Sequence, residues 1–136
     1  MVNTLDFRWV EINNKEANKR SGKYLDFLVS GRSLKELLNI VDSEHVTLLG
    51  EWFSFTNVNN FIEQLKGNHK ERVEFYVCPH CGDIDCGAIT ADVTKKNNKV
   101  YWHNFTHGTS SEIFTSYSLP PIEFNYDDYI TSLSKI

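Results

Sequence analysis

The sequence predicts an α+β fold, with a mainly antiparallel sheet and two to three short helices in a single domain covering residues 1–136. Three observations predict it. The elements read in the order strands, helices, strands, helix, without the regular βαβα order of a parallel sheet. A chain of 136 residues fits one domain and can bury roughly two-thirds of its unfolded surface. No internal repeat, low-complexity tract or linker interrupts it, and proline occurs only at positions 79, 120 and 121.

Residues 4–12 alternate, with Leu5, Phe7 and Trp9 on one face and Asp6 and Arg8 on the other. That is strand periodicity. Asn13 to Gly22 is polar and reads as a loop. Tyr24 to Ser30 alternates again through Leu25, Phe27 and Val29, so the two segments pair as an antiparallel hairpin. Gly31 to Leu38 reads as the start of a helix of about two turns. Ser33 and Glu36 have capping-box spacing, and Leu34, Leu37, Leu38 and Val41 line one face. Val46 to Leu49 reads as a short strand closed by Gly50. Thr56 or Asn57 can cap a second helix, whose Val58, Phe61, Ile62 and Leu65 fall on one side, with Gly67 in the C′ position. Both helices read as core-packing elements.

Arg72 to Val77 is a strand that runs directly into Cys78. Ala88–Thr94 and Lys99–Phe105 form a hairpin around Lys95-Lys96-Asn97-Asn98, because asparagine tolerates the positive φ of a tight turn. Residues 113–117 add another strand. Asn125 caps a last helix carrying Tyr126, Tyr129, Ile130 and Leu133.

The net charge of −4 argues against a nucleic-acid partner, which needs a basic stripe. The basic cluster of Lys15, Lys19, Arg20 and Lys23 and the acidic group Glu112, Glu123, Asp127 and Asp128 read as solvated faces. The opening residues carry charges where a secretory segment is apolar, and no apolar run approaches the roughly 18 residues of a membrane span. The expectation is a cytoplasmic protein with no membrane partner. Nine Phe, six Tyr and three Trp point to a core built on aromatics, or to an aromatic contact surface.

The distinctive chemistry is Cys78-Pro79-His80-Cys81-Gly82-Asp83-Ile84-Asp85-Cys86-Gly87. Two cysteines two residues apart can face one ion across a tight turn, and the glycine after them lets the backbone curl. Cys86 supplies a third thiol, whereas a structural zinc takes four ligands. His80, His103, His107, Asp83 and Asp85 are candidates for the fourth. An even-numbered hairpin loop makes paired residue numbers sum to 193 or 195. His107 then lies opposite Cys86 or Ala88, while His103 falls roughly 13 Å along the strand. The expected metal set is therefore Cys78, Cys81, Cys86 and His107, with zinc as the cofactor. Three unligated thiols are the competing reading. Cys-Pro-His-Cys is also a thiol-oxidase tetrapeptide, but the residues after it would not build the helix that activates such a cysteine. A Cys86–His107 nucleophile pair stays open, and Asp83 and Asp85 serve equally as caps of loop amides. Phosphate-binding loops, the metalloprotease His-Glu-x-x-His, the Gly-x-Ser-x-Gly elbow and the deaminase signature are all missing from the sequence.

The run Cys78-x-x-Cys81-Gly82-Asp83-x-x-Cys86-Gly87-Ala88, followed by Val100-x-Trp102-x-x-Phe105, resembles a group of small uncharacterised bacterial proteins. The Gly31-Arg32-Ser33-Leu34 and Phe124-x-Tyr126-x-x-Tyr129 runs look similar to that group as well. The resemblance implies a bacterial source and a domain occupying the whole chain. It offers no counterpart for His107. The expectation is thus a non-catalytic cytoplasmic module, binding or structural, with a protein partner and a structural zinc at the cysteine loop. A cysteine-dependent redox or hydrolytic enzyme and an immunity-type protein that blocks a toxin remain as alternatives.

Overall fold

A computed structural model describes residues 2–12, 22–40, 45–51, 53–68, 71–78 and 87–136. Its strands are β1 (Val2–Asn3), β2 (Leu5–Ile12), β3 (Gly22–Val29), β4 (Arg32–Ser33), β5 (Val73–Tyr76), β6 (Ala88–Lys96), β7 (Lys99–Gly108), β8 (Ile113–Ser116) and β9 (Ile122–Asn125). The helices are α1 (Leu34–Leu37), α2 (Phe55–Glu63) and α3 (Tyr126–Leu133), and the turn at Gln64–Asn68 after α2 is broken by Gly67 at φ 87°. The fold is α+β and mainly antiparallel. One sheet runs β1-β9-β7-β6-β5, with β8 also paired to β7, and a smaller sheet runs β2-β3-β4. Among the described strands only the β1–β9 pair is parallel.

The β2–β3 hairpin, the α3 cap at Asn125 and the tight turn at Asn97-Asn98 follow the sequence reading, both asparagines holding positive φ (52° and 60°). Four elements differ from it. The first helix is a single turn, because Asn39 takes a left-handed conformation (φ 58°) just past it. Ser54, not Thr56 or Asn57, caps α2, accepting the Asn57 N–H at 3.3 Å. The segment from Val46 to Leu49 is no strand; Val46 makes a lone bridge to Val77. β9, which follows Pro120 and Pro121, has no counterpart in the sequence reading, and neither has its parallel pairing with β1. The polar loop 13–21, Val41, Trp52 and residues 79–86 lie outside the described residues.

One aromatic cluster joins the two sheets. Phe27 of β3 lies 5.4 Å from Phe75 and 5.5 Å from Trp102 of the larger sheet, 6.1 Å from Phe61 of α2 and 6.0 Å from Phe7 of β2, ring centre to ring centre. Trp102 is wholly buried, and its indole N–H donates to the Tyr129 hydroxyl at 3.0 Å, so α3 is bonded as well as packed to the core. The high aromatic content is therefore largely core, although Trp9 is 60% exposed.

The β6–β7 hairpin carries one more feature. Its pairs sum to 195 near the turn, from Lys96–Lys99 to Asp92–His103, and to 196 from Thr90–Thr106 onward. A bulge lies between, with Asn104 in the left-handed conformation (φ 57°) that asparagine tolerates. Arg72 clamps it from the sheet's other face. Its Nε donates to Thr90 Oγ1 at 2.9 Å, and its Nη2 donates to the carbonyls of Thr90 at 2.8 Å and Asn104 at 2.5 Å.

Phe27→Ala is expected to lower unfolding free energy by about 3–5 kcal/mol, since the cavity would open at the junction of both sheets and α2. Urea titration of the variant against wild type measures it, and a loss below 1 kcal/mol, roughly that of a partly exposed site, would contradict this role.

Candidate functional site

The cysteine run starts at the end of β5 and returns into β6. Tyr76 pairs with Ile89, so Cys78 and Gly87 stand two residues beyond that pair, just outside the ends of β5 and β6. Cys78 is half-buried. Cys81 and Cys86, with His80, Asp83 and Asp85, lie outside the described residues.

Both ends of the run are held by residues 45–46. The Val46 N–H donates to the Val77 carbonyl at 2.9 Å and the Val77 N–H returns to Val46 at 2.8 Å. His45 Nε2 lies 2.9 Å from the Gly87 carbonyl. A carbonyl can only accept, so Nε2 carries the proton and donates. Segment 45–46 therefore touches the residue before Cys78 and the residue after Cys86.

His107 reaches the same place from β7. The bulge places it opposite Ile89, not opposite Cys86 or Ala88 as an unbroken register requires. It thus lies on the strand face of Ile89 and reaches Gly87, two residues earlier. A Cβ on Gly87 would meet His107 Nε2 at 3.3 Å, and the φ of +90° there also calls for glycine. The His107 ring stands edge-on between His45 at 5.4 Å and Phe114 of β8 at 5.5 Å, which fixes its orientation. Of the sequence-predicted ligands, then, the structure puts His107 at the loop's exit and Cys78 at its start. His103 instead pairs with Asp92 and bonds Thr94 Oγ1 at 2.9 Å. Among the described residues no three of His, Cys, Asp and Glu come together.

Sequence reasoning missed His45. No local pattern marks it, because its partners come from positions 35, 87 and 107.

Behind His45 lies a buried polar network. Lys35 Nζ donates to the His45 carbonyl at 2.6 Å and to the Tyr24 hydroxyl at 3.1 Å, and stands 5.1 Å from the Tyr76 ring centre. Tyr76 and Ser33 donate their hydroxyls to the two oxygens of Asp26, which is 2% exposed, at 2.5 and 2.6 Å. Burial holds the Lys35 ammonium below its ordinary pKa, with the Asp26 charge opposing. Burial first, and then the Asp26 carboxylate, hold the Tyr24 and Tyr76 hydroxyls well above theirs. Buried Tyr129 is raised too, by desolvation.

The site offers a thiol at Cys78, two imidazoles, and two further thiols in the sequence that joins Cys78 to Gly87. These are soft and borderline donors of the kind that hold zinc. No family model matches the chain, and no curated protein or solved structure matches it either. Among the described residues no helix is long and apolar enough to cross a membrane.

Gly87→Ala is expected to destabilise the fold by about 1–3 kcal/mol, from left-handed backbone strain and the displaced His107 ring; thermal unfolding measures it, and an unchanged midpoint would contradict the contact. Alkali supplies a second check. Tyr24, Tyr76 and Tyr129 have folded pKa values raised above the ordinary tyrosine value of about 10. Their contribution is complete below that pH and is lost as pH rises through the folded values. Phenolate absorbance from these three is expected to appear together with unfolding, and its appearance in the still-folded chain would contradict their burial.

Proposed function

We propose that the protein is a non-catalytic bacterial module of the cytoplasm, binding or structural in role, whose cysteine run holds a structural zinc through Cys78, Cys81, Cys86 and His107. The observation that carries this reading is the His107 imidazole seated against Gly87, the residue that follows Cys86. The donor set fits the ion: three thiolates and one imidazole are a common tetrahedral zinc shell, at about 2.3 Å for sulfur and 2.0–2.1 Å for nitrogen. Gly87 supports the fit, since a side chain there would fill the space that His107 Nε2 approaches. A reducing compartment keeps the thiols available for a metal.

Zinc would cross-link the ends of β5 and β6 to β7, and its binding free energy would count toward folding. A cross-link of that kind suits a rigid scaffold, because no ligand position is left open for a substrate. The binding side of the reading draws on β8, where Ile113 and Phe114 are 65% and 53% exposed on a strand that carries no charge. Exposed apolar side chains of this kind mark contact surfaces more often when they are clustered.

Untagged protein is expected to hold about one zinc per chain by elemental analysis, as a Cys3His site demands. Cys78→Ser and His107→Ala are each expected to lower that content, and chelation is expected to lower the unfolding midpoint. A metal-free preparation that is fully folded and unaffected by added zinc would sink the reading. Fast alkylation of a thiol at neutral pH in the zinc-free chain would favour a cysteine-dependent enzyme instead.

A further inference from the structure

We propose that the open edge of β2 is a self-association surface, on which a second copy of this chain pairs antiparallel about a two-fold axis at Phe7. Its residues lie apart from the cysteine run, so it stands independently of the zinc reading.

β2 ends the smaller sheet, and among the described residues no strand pairs with its other side. Which of its backbone groups face outward follows from β3. The Leu25 N–H donates to the Leu49 carbonyl at 2.9 Å, so it points away from β2. Leu25 lies opposite Trp9, and a pair of this kind turns both backbones outward. Ladder alternation then turns the N–H and C=O groups of Leu5, Phe7 and Trp9 to the open edge. The Phe7 N–H agrees with this, since it donates to the side chain of its own neighbour, Asp6 Oδ1, at 2.9 Å. Such an edge is a template for a further strand.

Charges on an edge usually guard it against pairing, and here they select one register. Asp6 and Arg8 are exposed on one face of β2, and among the described residues neither has an ion-pair partner. Two-fold pairing of a strand with its copy brings opposite each other residues whose numbers have an even sum, because opposed side chains share a face. A sum of 12 sets Asp6 against Asp6, and a sum of 16 sets Arg8 against Arg8. Like charges directly opposite destabilise a pair of strands. A sum of 18 sets Asp6 against Ile12 and Glu11 against Phe7. Only a sum of 14 sets Asp6 against Arg8, and it does so on both sides of a central Phe7–Phe7 pair. The outward groups of Leu5, Phe7 and Trp9 then meet as hydrogen-bonded pairs. The Phe7 N–H exchanges Asp6 for a carbonyl, and Asp6 gains a guanidinium in return. The Trp9 ring, 60% exposed in the single chain, comes opposite Leu5 of the second copy.

Charge reversal separates this contact from any other. Association of the full, untagged chain is measured by sedimentation equilibrium, with the melting temperature of each variant as the check on folding. Wild type is expected to form a weak, reversible dimer that dissociates further at high salt. Asp6→Arg and Arg8→Asp are each expected to weaken it about tenfold or more, because both ion pairs become like-charge pairs. The double variant D6R/R8D exchanges the charges and is expected to return the affinity toward wild type. Mixing the two single variants is expected to give a heterodimer where neither pairs well with itself. Asp6→Asn, which can still accept the Phe7 N–H, replaces Asp6→Arg if that chain fails to fold, with an expected loss of about twofold or more. A wild-type chain that stays monomeric up to about 1 mM, the weak end of specific association, overturns the inference. A dimer unmoved by the single variants overturns it as well, since its interface then lies elsewhere. So does a dimer lost in the single variants and recovered neither in the double variant nor in the mixture.

Discussion

The structure depends on one extra residue in β7. With strict alternation, Trp102 and Phe105 would point to opposite faces of the sheet, since their positions differ in parity. The bulge at Asn104 turns Phe105 to the Trp102 side, and both rings pack on Phe75, at 4.8 and 5.3 Å between centres. Everything after the bulge follows the new parity. Thr106 turns outward toward Arg72, whose Nη2 donates to its hydroxyl at 3.0 Å. His107 turns to the side of the second sheet, where His45 and Gly87 lie. The same local irregularity therefore completes the aromatic core and delivers the imidazole to the cysteine loop. Arg72 makes it a defined irregularity, because its guanidinium bonds the Thr90 and Asn104 carbonyls on either side of the bulge.

Two kinds of interaction hold the loop's surroundings, and they differ in what they specify. The aromatic cluster around Phe27 joins the two sheets and α2, and it is tolerant of small shifts in the way hydrophobic packing is. The network from Asp26 through Ser33, Tyr76 and Lys35 to His45 is not tolerant, because a buried donor or acceptor without its partner costs about 1–3 kcal/mol. Each oxygen of Asp26 accepts a hydroxyl, and Oδ1 also takes the Phe27 N–H at 2.9 Å. Such a satisfied network fixes α1 against β3 and the segment at residue 45 in one arrangement. The position of His45 is thus tied to the core.

This division explains how much was legible in the sequence. The alternation of Leu5, Phe7 and Trp9, the Asn97-Asn98 turn and the Asn125 cap act over a few residues, and each leaves a local pattern. The short β9 does not, since four residues after two prolines carry too little periodicity, and its partners β1 and β7 lie far away in the chain. The bulge is equally hidden: an asparagine inside a strand reads as an ordinary polar position until Phe105 is seen to be buried. The register that places His107 from sequence holds near the turn and fails past Asn104, so its place beside the loop comes from Gly87 and not from Ala88. His45 could not be read at all, because the bonds that define its role run to positions 35 and 87.

The proposed zinc site is better understood as an extension of this frame than as a separate feature. An unframed three-cysteine loop would have to give up the entropy of its backbone, about 1–2 kcal/mol per residue, as the ion bound. Fixing both ends beforehand removes part of that cost and raises affinity without adding a ligand. Linkage then runs in both directions. Zinc that binds only the folded frame stabilises it by RT ln(1 + [Zn]/Kd). On the same proposal, a core substitution that loosens the folded frame would weaken metal binding in turn. On this reasoning the cysteine motif alone does not define the site. On the zinc proposal it also includes His107, which lies 21 positions after Cys86 in the chain.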